Sequence, residues 1–125
     1  MRHFSLPVCR AVVEGGMPPH TISTDRVGPR PNAVNYNLLD HMAIFLELGM
    51  SMDEVVRAVT TTPAASIGRA DLGNLKVGSI GDAAVLDLQD GEFRFEDGLN
   101  NTLSASRHFA HVLTVKDGKR WRPRL

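Results

Sequence analysis

"LGNLKVGSIGDAAVLDL", residues 72–88, is the stretch that decides how this chain folds. Its first half is interrupted by Gly73, Gly78 and Gly81, and its second half, from Ala83 to Leu88, is mostly apolar. Closely spaced glycines are typical of turns, and a short apolar run that follows turns predicts a buried or half-buried strand. The stretch therefore predicts a change in the type of secondary structure, from the helices before it to the strands after it.

Upstream of this point the patterns are mostly helical. "SMDE", from Ser51 to Glu54, has the spacing of a capping box that opens a helix, with Val55, Val56 and Val59 expected to face inward. The predicted elements are a helix over 5–15 capped by Ser5, a short strand over His20–Thr24, helices over 37–48 and 52–60, and a short helix over 63–68 with Pro63 in its first turn.

Downstream the patterns predict only strands. "EFRFE", residues 92–96, alternates apolar and polar side chains, which indicates a half-buried strand. Asp117-Gly118 predicts the turn of a hairpin whose return strand ends near Trp121. The order helix, strand, three helices and then strands leaves the strand at His20–Thr24 without predicted neighbours for its backbone groups. This order predicts the end of a larger fold, with the first two helices and the strand edges left uncovered.

Composition limits the classes of function. The chain has 125 residues, of which 42% are hydrophobic and 22% charged, with 14 basic and 14 acidic side chains. This balance favours an ordinary soluble domain and gives no charge-based reason to expect a nucleic-acid or membrane partner. Cys9 is the only cysteine, so an internal disulfide and a cysteine-based metal site are excluded. We expect a cytoplasmic protein.

Asp25 is the candidate functional residue, because it ends the predicted strand His20–Thr24 and precedes a loop rich in glycine and proline. In α/β barrels, catalytic groups project from the carboxyl ends of strands. A carboxylate in that position could bind a divalent metal and accept a proton from water. Asp25 could equally be a turn-forming aspartate after a strand. The spacing alone leaves both interpretations open.

Three segments resemble one known family. "PHTISTD" resembles the last barrel strand of the amidohydrolase superfamily, and "LGMSMDEVVRAVTTTPAASIG" resembles the helices that follow it. "LGNLKVGSIGDAAVLDL" resembles the G-x-L-x-x-G-x-x-A-D pattern through which such chains leave the barrel for a small β-domain. Together the segments look like the C-terminal part of the dihydroorotase-like amidohydrolase/deacetylase branch, over nearly the whole chain.

The resemblance implies a role for Asp25, which in this family ligates a zinc-type metal centre and acts as general base on the hydrolytic water. The family's other ligands are an H-x-H pair, a bridging lysine and two further histidines, all upstream of that aspartate, and this chain contains no H-x-H. Val27 stands where the branch often carries a histidine. The five histidines are interpreted as surface or packing residues: His3, His20, His41, His108 and His111.

The resemblance thus implies an α/β chain: the C-terminal fragment of a (β/α)8 barrel over residues 1–68, followed by strands of a small β-sandwich domain over 69–125. It implies a metal-dependent amidohydrolase or deacetylase that hydrolyses an amide or ester of a small acylated molecule with metal-activated water. Divalent metal, expected to be zinc, would be bound only in the complete enzyme, and a companion chain could supply the rest of the barrel. The alternative is a non-catalytic α+β module that binds a partner subunit.

Overall fold

A computed structural model describes residues 4–25 and 36–121. Four helices precede a three-stranded antiparallel sheet in the strand order β1-β2-β3. The elements are α1 (Leu6–Glu14), α2 (Leu38–Glu47), α3 (Met52–Val59), α4 (Thr61–Ser66), β1 (Ala83–Glu96), β2 (Thr102–Lys116) and β3 (Lys119–Arg120). The change from helices to strands predicted around residues 72–88 is confirmed, and the chain has a mixed α/β fold.

Helices α2 and α3 each begin with a capping box. The predicted box of α3 is confirmed, since Ser51 Oγ accepts the N–H of Glu54 at 3.3 Å and Glu54 accepts the N–H of Ser51 at 2.7 Å. At α2, Asn37 Oδ1 accepts the N–H groups of Leu39 and Asp40, and Asp40 accepts the N–H of Asn37 at 2.7 Å. These reciprocal bonds satisfy backbone donors that the first helical turn leaves without partners.

Helix α1 is capped from a distant part of the chain. The prediction that Ser5 caps it is wrong, because no side-chain cap bond forms at Ser5. Asp97, in the turn between β1 and β2, accepts the N–H of Leu6 at 2.9 Å. Burial of the Asp97 carboxylate raises its pKa, but hydrogen bonds from Asn101, Leu6 and Leu99 outweigh that effect and lower the pKa to about 2. Asp97 therefore joins the first helix to the sheet.

The sheet is a long hairpin with a short third strand. β1 and β2 pair from Ala83↔Val115 to Glu96↔Thr102, with register shifts between Val85 and Leu86 and between Asp90 and Phe93. The segments predicted separately, at 83–88 and 92–96, are therefore one strand interrupted by irregularities. The hairpin turn at Asp117-Gly118 is confirmed, and Trp121 donates its N–H to the carbonyl of Thr114 at 2.8 Å.

Helix α2 is packed against β2 and is almost entirely buried from His41 to Leu46. The prediction that the apolar face of the second helix is uncovered is therefore wrong, because the sheet covers it. The prediction for α3 is partly wrong, since Val55 is fully buried but Val56 is 40% exposed. The buried core combines side chains from both predicted domains: Leu6, Ile22, Met42, Ala43, Ile44, Phe45, Leu46, Leu48, Met50, Val55, Ala58, Phe95, Leu103, Ala105 and Phe109.

The predicted strand over His20–Thr24 is absent. Residues 21–25 have no regular secondary structure, because among the described residues no neighbouring strand pairs with them. The short fourth helix is confirmed, although it begins two residues earlier than predicted and places Pro63 at its third position. None of the helices in the described ranges is long and apolar enough to cross a membrane.

Candidate functional site

The segment that leads to Asp25 is held against helix α3. Ile22 is buried, and its N–H donates to the carbonyl of Ala58 at 2.9 Å. Asp25 lies three residues further on, is exposed, and has a φ of 44°. Aspartate is among the few residue types that adopt this left-handed conformation without a large steric cost. The segment therefore anchors at Ile22 and presents a solvent-accessible carboxylate at Asp25.

The glycine-rich segment packs against the end of the same helix. Thr60 follows α3, and its hydroxyl donates to the carbonyl of Val56 at 2.6 Å. A Cβ atom at Gly73 would lie 2.5 Å from the carbonyl oxygen of Thr60, and Gly73 has a φ of 69°. Both the space and the conformation require glycine there. Gly73 therefore allows this segment to lie directly against the C-terminal end of α3, the helix whose Ala58 carbonyl binds Ile22.

Asn74 organises the glycine-rich segment, and the sequence analysis did not single it out. Its amide donates to the carbonyls of Ala70 and Leu72 at 3.0 Å each. Its carbonyl oxygen accepts the N–H of Lys76 and the hydroxyl of Ser79. An asparagine between turn glycines is typical of this kind of local bonding, so the pattern G-N in the sequence could have identified it.

The surroundings of the described histidines favour packing or surface roles. His41 is buried, with Nδ1 at 2.9 Å from the carbonyl oxygen of Asn37. His108 lies 2.9 Å from Asp40 and stacks on Phe93, with ring centroids 5.1 Å apart. His20 and His111 are exposed, and His111 Nε2 lies 2.9 Å from the hydroxyl of Thr114. His3 lies outside the described residues.

The Asp40–His108 contact joins α2 to β2, and the sequence analysis missed it. The two residues are 68 positions apart, and their side chains are about one fifth exposed. The spacing Asn37 to Asp40 matches a capping box and could have pointed to Asp40, but no local pattern identifies His108 as its partner. The Asp40 carboxylate also accepts the N–H of Asn37. It therefore both caps α2 and holds that helix against the sheet.

Asp82 and Cys9 have structural roles. Asp82 accepts the N–H of Asp117 at 2.9 Å and lies 2.7 Å from Lys116, contacts that lower its pKa. Cys9 is half-buried in α1, and burial raises the pKa of its thiol, which fits a packed thiol. A groove of about 340 Å³ lies between α1 and the start of β2, but Asp25 does not line it.

Asp25 provides one oxygen donor of the kind that divalent metals bind. Among the residues that the structure describes, no group of three or more histidine, cysteine, aspartate or glutamate side chains could hold a metal ion. Arg26 and Val27 lie outside the described residues. The described part of this chain can therefore supply one metal ligand, Asp25, but not a complete metal site.

Comparison with known proteins identifies the family. The family model described as "Amidohydrolase family" matches residues 6–120, which run from the start of α1 to the end of β3. This chain belongs to the amidohydrolase family. It is 32% identical over 106 residues to a deacetylase of Brucella anthropi and 36% identical over 107 residues to a deacetylase of Agrobacterium fabrum.

Solved structures agree with this assignment. The chain resembles the crystal structure of a dihydroorotase with a TM-score of 0.82 and 33% identity, over 94% of this chain and 32% of that one. It resembles an adenine deaminase with a TM-score of 0.87 and 25% identity, over 96% of this chain and 33% of that one. The chain covers 26% of each deacetylase. It therefore spans between a quarter and a third of these relatives.

Proposed function

We propose that this chain is the C-terminal segment of a metal-dependent amidohydrolase that removes an acyl group from a small molecule. The observation that carries the proposal is the match to the amidohydrolase family over residues 6–120, combined with an exposed Asp25 at the end of an anchored segment. The two deacetylase relatives favour an N-acyl or O-acetyl substrate. Since the chain spans about a quarter of their length, the activity belongs to a complete enzyme.

Asp25 is proposed to be one ligand of the metal centre in that enzyme. A divalent metal, proposed to be zinc, would act there as a Lewis acid that polarises the substrate carbonyl and lowers the pKa of water to about 7. The carboxylate of Asp25 accepts the proton of the attacking water, and the residue is exposed to solvent. The hydrogen bond from Ile22 to Ala58 keeps the segment in place while this happens.

A single carboxylate cannot hold zinc in a fixed geometry against water, because such sites use three or four protein ligands. The chain alone is therefore proposed to be inactive. A companion chain, or a longer protein that contains this segment, would supply the remaining ligands. An activity of the isolated chain that depends on added zinc would contradict this part of the proposal.

The decisive experiment replaces the matching 107 residues of the Agrobacterium fabrum deacetylase with this chain and measures acyl hydrolysis. Asp25→Asn in the chimaera should lower kcat by at least about a hundredfold, which is the scale of lost acid–base catalysis. It should also reduce the metal content of the purified protein. Hydrolysis at the unsubstituted rate by the Asp25→Asn chimaera would refute the role of Asp25.

Asp117→Asn provides the matched control. Asp117 is also exposed and also has a left-handed backbone, with a φ of 52°, but lies in the hairpin turn. The same change of charge and chemistry there should leave hydrolysis and metal content unchanged. An equal loss in both variants would indicate that the chimaera responds to general damage rather than to loss of a ligand.

A further inference from the structure

We propose that Gly73 is a positioning residue for the proposed reaction and acts through the end of α3, which anchors the Asp25 segment. This role rests on the proposed function of Asp25 as a metal ligand and general base. The contacts that support it join described residues of this chain: Gly73 lies against Thr60, Thr60 is bonded to the last turn of α3, and Ala58 in that turn binds Ile22. Gly73 is therefore expected to act through the backbone, without touching the reacting atoms.

The backbone of Gly73 lies directly against the backbone of Thr60, which joins α3 to α4. A Cβ atom at position 73 would lie 2.5 Å from the carbonyl oxygen of Thr60, 2.6 Å from its carbonyl carbon and 3.0 Å from the nitrogen of Thr61. Carbon atoms that are not bonded prefer separations of about 3.5–4.0 Å. A side chain at position 73 must therefore displace either Thr60 or the segment 70–80.

The segment 70–80 is cross-linked by Asn74, the residue that follows the glycine. The side-chain amide of Asn74 donates to the carbonyls of Ala70 and Leu72 at 3.0 Å each. Its carbonyl oxygen accepts the N–H of Lys76 at 3.1 Å and the hydroxyl of Ser79 at 2.7 Å. Moving this segment away from α3 would disturb these four bonds, so a side chain at position 73 is expected to push the end of the helix instead.

Thr60 is bonded to the last turn of α3 through both its backbone and its side chain. Its N–H donates to the carbonyl of Arg57 at 3.2 Å, and its hydroxyl donates to the carbonyl of Val56 at 2.6 Å. Ala58 lies in the same turn, two residues before Thr60. A displacement of Thr60 should therefore move the carbonyl of Ala58 with it.

The carbonyl of Ala58 is the point at which the Asp25 segment is attached to α3. Carbonyls in the last turn of a helix lack an intrahelical N–H partner, and that of Ala58 accepts the N–H of Ile22 at 2.9 Å. Both residues are buried. Asp25 follows three residues later, within about 10 Å of extended chain. Because misplacement of a catalytic group by about 1 Å can lower a rate roughly a hundredfold, a shift at Ala58 should affect Asp25.

The first test measures hydrogen exchange of the Ile22 amide in the isolated chain by NMR. Gly73→Ala should raise its exchange rate, relative to that of Ile44 in the centre of α2, by at least about tenfold. Gly68→Ala is the matched control, because Gly68 has a φ of 71° against 69° for Gly73. A Cβ atom at Gly68 would meet nothing within 4 Å among the described residues beyond its chain neighbours. This variant carries the same backbone strain without the contact and should leave the ratio unchanged.

The second test measures acyl hydrolysis by the chimaera with the Agrobacterium fabrum deacetylase. Gly73→Ala should lower kcat by at least about tenfold and change KM by less than about threefold, because a displaced general base affects the transition state more than substrate binding. Gly68→Ala should leave both unchanged. If Asp25→Asn is inactive but Gly73→Ala is as active as Gly68→Ala, the positioning role is overturned. Activity that survives Asp25→Asn would instead refute the proposed function, and the positioning role with it.

Thr60→Ala keeps the inference testable if Gly73→Ala does not fold. It removes the hydroxyl that bonds Thr60 to α3 and should raise the exchange of Ile22 relative to Ile44 by about threefold, the scale of one lost hydrogen bond. Thr60→Ser keeps the hydroxyl and should retain the original ratio. An unchanged ratio in Thr60→Ala overturns the inference. Equal effects of Gly73→Ala and Gly68→Ala on the ratio also overturn it, because backbone strain alone would then explain them.

Discussion

Asp97 and Asp25 are aspartates in two opposite environments of this chain. Asp97 is 4% exposed, and its carboxylate accepts hydrogen bonds from Leu6, Leu99 and Asn101. Asp25 is exposed at the end of a segment that is anchored three residues earlier. A buried carboxylate needs several donors to offset its lost hydration, whereas an exposed one remains free to bind a ligand.

The contrast extends to the regions around the two aspartates. The hairpin and helix α2 form a packed unit in which polar groups such as Asp97 and Asp40 have partners inside the chain. The segment before Asp25 extends from the same core without a neighbouring strand among the described residues. The packed unit should therefore determine stability, and the Asp25 segment should determine activity in a complete enzyme.

The largest expected effect on stability lies in the packed unit. Ile44→Ala removes a fully buried side chain from α2 and should lower the free energy of unfolding by about 3 kcal/mol, as cavity-forming substitutions do. Ile67→Ala makes the same change where the side chain is 71% exposed and should cost no more than about 0.5 kcal/mol. Urea unfolding at one protein concentration measures both, and equal losses would contradict the position of the core.

A second prediction concerns the pH dependence that Asp97 creates. Its pKa in the folded protein is lowered to about 2 from the ordinary aspartate value of 3.8. The unfolded chain therefore binds the proton more readily, so the stabilisation is fully present above about pH 4 and is lost as the pH falls towards 2. Asp97→Asn should be less stable than the unsubstituted chain at pH 6, and the difference should shrink below pH 4.

Urea unfolding at pH 6, 4 and 2.5 measures this dependence. Asp90→Asn is the control, because Asp90 is an exposed aspartate on β1 and its replacement should leave the pH profile close to that of the unsubstituted chain. A constant difference between Asp97→Asn and the unsubstituted chain at all three pH values would contradict the hydrogen-bonding role of the carboxylate.

A smaller effect on stability is expected when serine is replaced by alanine at the start of α3, compared with the same change in the Asp25 segment. Ser51→Ala removes the hydroxyl that caps α3 and should lower the free energy of unfolding by about 1 kcal/mol. Ser23→Ala makes the same change in the exposed part of the Asp25 segment and should change it by less than about 0.5 kcal/mol. A larger loss from Ser23→Ala would show that this segment carries more of the stability than its exposure indicates.

The smallest expected effect on stability is at the candidate site itself. Asp25→Asn should change the free energy of unfolding of the isolated chain by less than about 0.5 kcal/mol, because the side chain is exposed and asparagine also tolerates a positive φ. Thermal unfolding followed by circular dichroism measures this. A clear destabilisation would indicate that Asp25 is a structural turn residue, which the sequence analysis left open.

The local patterns in the sequence were reliable where nearby residues settle the structure. The capping box at Ser51, the turn at Asp117-Gly118 and the change from helices to strands after Gly73 were all predictable, because neighbouring residues supply both partners of each interaction. The family was also predictable, because the order and spacing of three sequence segments identify it. The role of Asp25 stays a prediction, as does the division of the chain at residue 68.

Sequence alone therefore determined where the chain turns, where α3 begins and which carboxylate to examine. Only the tertiary structure decided that Asp97 rather than Ser5 caps α1, that the sheet buries α2, and that residues 21–25 form no strand. Each of these depends on a partner far along the chain, such as the 91 positions between Leu6 and Asp97. A local pattern cannot specify such a partner, because its position is set by how the helices and the hairpin pack together.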